Sequence, residues 1–179
     1  AIWRFQANGQ PDLSFGNGGV FVHDLVVNSD MLFVTLRGMA IDQSGRIIVL
    51  GTAMLNGEFN NILWCIKNGS LDTSFGDGTH QGYVQDTSGM MVAVTLDSGG
   101  KILVTGLGSS GDMEIRRYNS DGSFDTSFGS AGSVTYAAPN IGKPAYAAKG
   151  RAIAIDSSGR IVVAGNVETQ NIPPFNEDM

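Results

Sequence analysis

The sequence predicts an all-β fold assembled from repeated four-stranded antiparallel sheets, and three observations carry that reading. Twenty-five glycines are scattered evenly over 179 residues, a distribution that punctuates short strands and disfavours long helices. Two phrases alternate along the chain. PDLSFGNGG at 11–19 returns as LDTSFGDG at 71–78 and FDTSFGSAG at 124–132, while AIDQSGRIIVLG at 40–51 returns as TLDSGGKILVTG at 95–106 and AIDSSGRIVVAG at 154–165. Finally, no stretch carries an apolar period of 3.6 residues.

Spacing defines the unit. Anchored on Asp12, Asp72 and Asp125 the repeats are 60 and 53 residues apart, and anchored on Asp42, Asp97 and Asp156 they are 55 and 59 apart. A period in that range marks a repeat architecture, so residues 1–179 read as a single repeat domain of three units.

Within a unit the elements follow in order. After the SFG phrase comes a strand such as GVFVHDL at 19–25, expected to be the innermost, and then LFVTLRGMAID at 32–42, which ends in an Asp-x-Ser-Gly turn. Glycine in QSGR, SGGK and SSGR supplies the positive φ of a tight hairpin, and Asp or Ser bonds the turn backbone. GRIIVLG at 45–51 is almost continuously apolar and β-branched, as a strand covered on both faces should be. NNILWCIK at 60–67 closes the unit with an Asn-Gly turn. Phe15, Phe75 and Phe128 plug the gaps between neighbouring sheets, each followed by a glycine that lets the chain turn. Four-stranded sheets repeated at this period are the blades of a β-propeller.

The phrases LDTSFGDG, RRYNSDGSFDTSFG and DSSGRIVVAG closely resemble the bacterial delta-60 repeat, a propeller-like tandem repeat, over all three copies. The resemblance implies tandem arrays in large secreted or surface-attached proteins, with no catalytic residues to carry over. The second copy departs from the pattern by a shortened NGSLD and an added THQ after FGDG.

The repeat also phases the two ends. EDM followed by AIWRFQANGQPDLSFG matches GDMEIRRYNSDGSFDTSFG at 111–129, so that Trp3, Trp64 and Arg116 share a position, as do Phe5, Ile66 and Tyr118. The seam therefore falls inside a blade, leaving three blade-equivalents. Open arrays expose an apolar face and an unpaired edge, so completion is expected either from a second copy, head to tail in a six-bladed ring, or from further blades of a longer protein.

Chemistry is sparser. A net charge of −6 repels phosphate backbones, which argues against nucleic acid. Apolar runs fall well short of the ~18 residues of a membrane span, and no secretion-signal pattern opens the sequence. Cys65, inside ILWCI, reads as a buried small side chain in preference to a nucleophile. Links that differ between copies, such as TAMLNGEFNN, GLGSSGDM and NVETQNIPPFNEDM, should share one face, with Glu58, Phe59, Glu168 and Phe175 as the side chains best suited to a ligand. VHD at 22–24 and VQD at 84–86 suggest Asp24 and Asp86 as channel carboxylates with His23 nearby, although the third unit has Ala137 there. NSDGSFD at 119–125 offers Asp121 as a calcium-loop ligand, with an ordinary turn as the alternative. Arg46, Lys101 and Arg160 are expected to pair across their hairpins with Asp42, Asp97 and Asp156. No phosphate loop, nucleophile elbow or cofactor motif is present. The reading is a non-catalytic binding or scaffold module for glycan or protein, with a sugar hydrolase or lyase using the channel carboxylates as its alternative.

Overall fold

The computed structural model describes residues 1–23, 34–55, 58–137 and 145–169, and among these described residues it holds thirteen strands and no helix. The first complete sheet runs β3 (Val34–Ile41), β4 (Ile47–Leu55), β5 (Glu58–Lys67), with β5 paired both to the short β6 (Ser70–Leu71) and to β7 (Tyr83–Asp86). The second runs β8 (Met90–Leu96), β9 (Ile102–Leu107), β10 (Met113–Tyr118), β11 (Ser133–Tyr136). Two-stranded sheets flank them: β1 (Ile2–Trp3) with β2 (Val20–Phe21), and β12 (Ala145–Ile155) with β13 (Ile161–Thr169). All pairings between these strands are antiparallel.

The strand that follows each SFG phrase is not the innermost strand of the next blade. β7 pairs β5 and β11 pairs β10, so each forms the last strand of the sheet before it. The opposite edges, β3, β8 and β12, pack from sheet to sheet, β3 against β8 and β8 against β12. The local reason lies in the SFG phrase. Gly82 donates to the Phe75 carbonyl at 2.6 Å and Cys65 donates to the Gly82 carbonyl at 3.0 Å, which folds the chain back alongside β5. A Cβ on Gly16 would sit 2.1 Å from the Val20 carbonyl oxygen, and one on Gly129 would sit 2.2 Å from that of Ser133, so glycine is obligatory after the phenylalanine.

The Asp-x-Ser-Gly hairpins are three copies of one geometry. Gly45, Gly100 and Gly159 have φ of 80°, 79° and 78°, each donating to the carbonyl of its Asp at 2.9–3.0 Å. Oδ1 of Asp42, Asp97 and Asp156 caps the turn by accepting from the backbone amides two and four residues on.

Two apolar layers lie between the sheets. Ile48, Leu50, Leu63, Cys65 and Phe75 of the first sheet meet Met91, Ile102, Val104 and Tyr118 of the second. Phe15, Ile47, Val49, Trp64 and Ile66 form the other layer, with Ile2 and Phe21 of the two-stranded sheet packed on it. Phe15 and Phe75 thus plug the gaps as expected, each burial worth about 1.5–3 kcal/mol.

Candidate functional site

The Asp of each SFG phrase is a latch. Asp72 Oδ1 accepts from the Ser74 hydroxyl at 2.6 Å and its amide at 3.2 Å, and Asp12 and Asp125 repeat this with Ser14 and Ser127. The second oxygen takes a cation. Arg4 Nε reaches Asp12 at 2.7 Å, Arg46 approaches Asp72 at 3.5 Å, and Asp125 receives Lys101 at 2.6 Å and Arg117 at 2.7 Å. Arg4 and Arg117 then lie over the rings of Phe15 and Phe128 at 4.6 and 4.5 Å, a cation–π contact that fixes the plug. Arg46 and Arg160 also pair with Asp42 and Asp156 at 2.7 and 2.6 Å, as the sequence suggested. Lys101 does not follow them: its amide caps Asp97, but its single ammonium goes to Asp125 and Asn119. A guanidinium has donors enough for two carboxylates, whereas the lysine ammonium is a point charge.

These latches set the acidities. Burial opposes ionisation of Asp42, but hydrogen bonds from Arg46 and Ser44 outweigh it and hold the carboxyl at about 2. Lys101 and Ser127 hold Asp125 well below the ordinary carboxylate range.

Asp86 sits on β7, the edge strand away from the packed β3–β8–β12 side. It lines a cleft of about 490 Å³ between the sheets, with Gln85, Glu114, Arg116, Tyr118 and Phe124. Arg116, 3% exposed, is gripped by Glu114 through Nε–Oε1 at 2.8 Å and Nη2–Oε2 at 2.9 Å, and pairs with Asp86 Oδ2, which also accepts from the Tyr118 hydroxyl at 3.2 Å. Burial opposes the Arg116 charge, but Glu114 and Asp86 outweigh it and hold the guanidinium protonated. Burial, reinforced by Asp86, pushes the Tyr118 phenol well above its usual range, so it remains a donor. The arrangement joins neighbouring sheets by one buried cation between two carboxylates. Arg116 and Glu114 carry no motif; only the alignment of Arg116 with Trp64 marks the position as facing the preceding sheet.

His23 lies elsewhere. Its ring stacks on Phe21 at 6.4 Å and tilts against Tyr83 at 6.1 Å, beside a cavity of about 130 Å³ that Trp64 and Leu36 also line. Strand register matches His23 with Asp86 and Tyr136, since Phe21, Val84 and Val134 oppose Ile2, Leu63 and Ile115. The added THQ lengthens the loop before β7, so Asp86 stands eleven residues after Phe75 whereas His23 stands eight after Phe15. Asp24 and Phe175 lie outside the described residues. Asp121 occupies a turn, its Oδ1 accepting from the Ser123 amide at 2.9 Å and hydroxyl at 2.7 Å. Among the described residues no group of three or more His, Cys, Asp or Glu is placed to hold a metal.

Glu58 and Phe59 are brought together with the links that differ between copies. They open β5 and line a cleft of about 570 Å³ with Thr87, Gly89, Met90, Leu107 and Gly108, where the β7–β8 and β9–β10 links meet. Phe59 is 48% exposed. Glu168, on β13, pairs with Lys149 at 2.6 Å across the hairpin.

Four-stranded antiparallel sheets stacked face to face, first strand to first strand, define the blades of a β-propeller. The family model described as a domain of unknown function (DUF5122), beta-propeller, matches residues 43–75 and 99–128. Each matched segment opens in an Asp-x-Ser-Gly turn and closes on an SFG phenylalanine, the two ends of the latch. Neither the curated proteins nor the solved structures contain a match to the chain.

Proposed function

We propose that this chain is a propeller segment of the delta-60 repeat type that acts as a non-catalytic binding or scaffold module outside the cytoplasm, secreted or at a cell surface, and takes glycan or protein at the end of the blades carrying the variable links. The observation that carries the reading is the 570 Å³ cleft. There an exposed phenyl ring and a carboxylate stand beside backbone from two variable links, the mixture of apolar platform and polar groups from which ligand sites are made. The acidic residues of the repeated phrases, by contrast, are engaged in latches. The extracellular setting is supported by the likeness of the repeated phrases to secreted arrays.

The test presents the purified chain to immobilised bacterial polysaccharides and to extracellular protein fractions. Phe59→Ala should weaken any ligand at this cleft at least tenfold, a loss of about 1.4 kcal/mol, and Glu58→Gln should weaken it less. A ligand indifferent to both substitutions would refute the site. Turnover of a sugar polymer that disappears in Asp86→Asn would replace the binding reading with the hydrolytic one.

A further inference from the structure

The two flanking half-sheets are complementary parts of one blade. β1–β2 corresponds to β10–β11, because Arg4 and Arg117 make the same set of contacts: each amide donates to the glycine carbonyl before the last strand (Gly19 at 3.1 Å, Gly132 at 3.0 Å), and each carbonyl accepts from the latch Asp amide at 2.9 and 3.0 Å. β12–β13 corresponds to β8–β9, since Ile155 opposes Ile161 as Leu96 opposes Ile102. Among the described residues the first half-sheet holds the counterparts of the outer two strands of a blade, and the second those of the inner two. Among the described residues β1 pairs β2 and β13 pairs β12, and neither pairs the other.

Burial divides along the same line. In the second sheet Leu103, Arg116 and Tyr118 are 1%, 3% and 4% exposed, whereas their counterparts Val162, Trp3 and Phe5 are 53%, 63% and 60% exposed. On the first strand, Met91 is 1% exposed and its counterpart Leu36 is 47% exposed. Phe75 is fully buried, but Phe128 is only half-buried, with Val134 and Tyr136 exposed beside it.

Charge repeats the pattern. The basic residue after each Asp-x-Ser-Gly turn reaches the latch Asp of the same blade, Arg46 to Asp72 and Lys101 to Asp125. Among the described residues Arg160 pairs with Asp156 and with no latch Asp, and its side chain is 79% exposed. Among the described residues Asp12 meets Arg4 but receives no basic residue from an Asp-x-Ser-Gly turn.

We infer that these surfaces belong together across two copies of the chain, β1 of one copy adding as third strand to β13 of the other, in a closed pair. The register is that of β9 with β10, which sets Ile2 against Ala164, Trp3 against Val163, Arg4 against Val162 and Phe5 against Ile161. Trp3 and Phe5 then cover Phe128, Val134 and Tyr136 of the other copy, Arg160 meets its Asp12, and the far face of β12–β13 covers Leu36, Met39 and Ile41. The latter contact reproduces the packing of Ile48 and Leu50 on Met91, Val94 and Leu96. In a pair of 179-residue chains, two complete sheets from the described residues of each and two shared blades make six, so the contact closes on itself if successive blades rotate by about 60°. The joint is independent of whatever the variable end binds.

The test measures the mass of the 179-residue chain by light scattering and sedimentation. Twice the 18.8 kDa chain mass is expected, and Val162→Asp or Trp3→Asp should give a monomer with unchanged circular dichroism. A second variant does not depend on those folding: Phe5→Cys with Ile161→Cys should oxidise to a two-chain species on a non-reducing gel. A folded wild-type monomer at all concentrations would overturn the proposal and leave other segments as the covering blades. An internal cross-link within one chain, or a ladder of higher masses, would overturn the closed pair.

Discussion

Asp42 sits at the meeting of turn and latch. Its depressed pKa of about 2, against 3.8 for the free side chain, means that the folded state holds the ionised form more tightly than the unfolded chain does. Such a group contributes its full stability above the unfolded value and loses it as pH falls through the folded one. Asp77, for which burial is outweighed by His80 and the loop amides, also lies at about 2. Calorimetric unfolding midpoints should therefore hold level between about pH 7 and 5 and fall steeply between about pH 4 and 2, with Asp42→Asn flattening part of the fall. Cys65 shows the opposite case. Burial, only partly offset by Arg46, pushes its thiol up to about 11, and the side chain is fully enclosed. A thiol reagent at neutral pH should label Cys65 only as fast as the protein opens, so labelling that matches the rate of a free thiol would contradict the packing.

At the scale of elements, the repeat turns, the phenylalanine plugs and the alignment of Trp3 with Trp64 and Arg116 were legible because each is written in local residue chemistry. The last strand was not. GVFVHDL follows the SFG phrase directly, and period-2 patterning says that it is a strand without saying which sheet it joins, a choice fixed by non-local pairing. Counting residues from the phenylalanine also ignores the loop that His80 and Asp77 close by their 2.8 Å contact, and by strand register Asp86 matches His23 and Tyr136. Arg116 was invisible as a site because its partners, Glu114 and Asp86, come from two sheets. The plugs yield a comparison. Phe75→Ala should cost about 3–5 kcal/mol of stability, as expected for a filled core site. Phe128→Ala should cost clearly less in a chain held monomeric by Val162→Asp, because half of that ring's cover is absent there. Equal losses in urea titrations would show that both plugs are covered within one chain.

For the whole molecule, stability in a stacked array is a sum of blade terms and nearest-neighbour interfaces, so an uncovered face weakens the blade behind it. If two copies share blades, folding and association are one equilibrium and the midpoint depends on concentration. The size follows from the entropy of unfolding of two chains together: a tenfold rise in concentration is worth about 1.4 kcal/mol per pair, which raises the melting midpoint by about 2 °C. Scanning calorimetry over a hundredfold range should thus show a climb of about 4 °C in the wild type, and none in Trp3→Asp. The same substitution should leave the layer built on Ile48, Leu50 and Phe75 intact, because that layer is enclosed within one chain. A midpoint that stays constant with concentration in a particle of two chains would mean that the sheets melt without parting, and the exposed faces of β3 and β13 would then need a cover from within each chain.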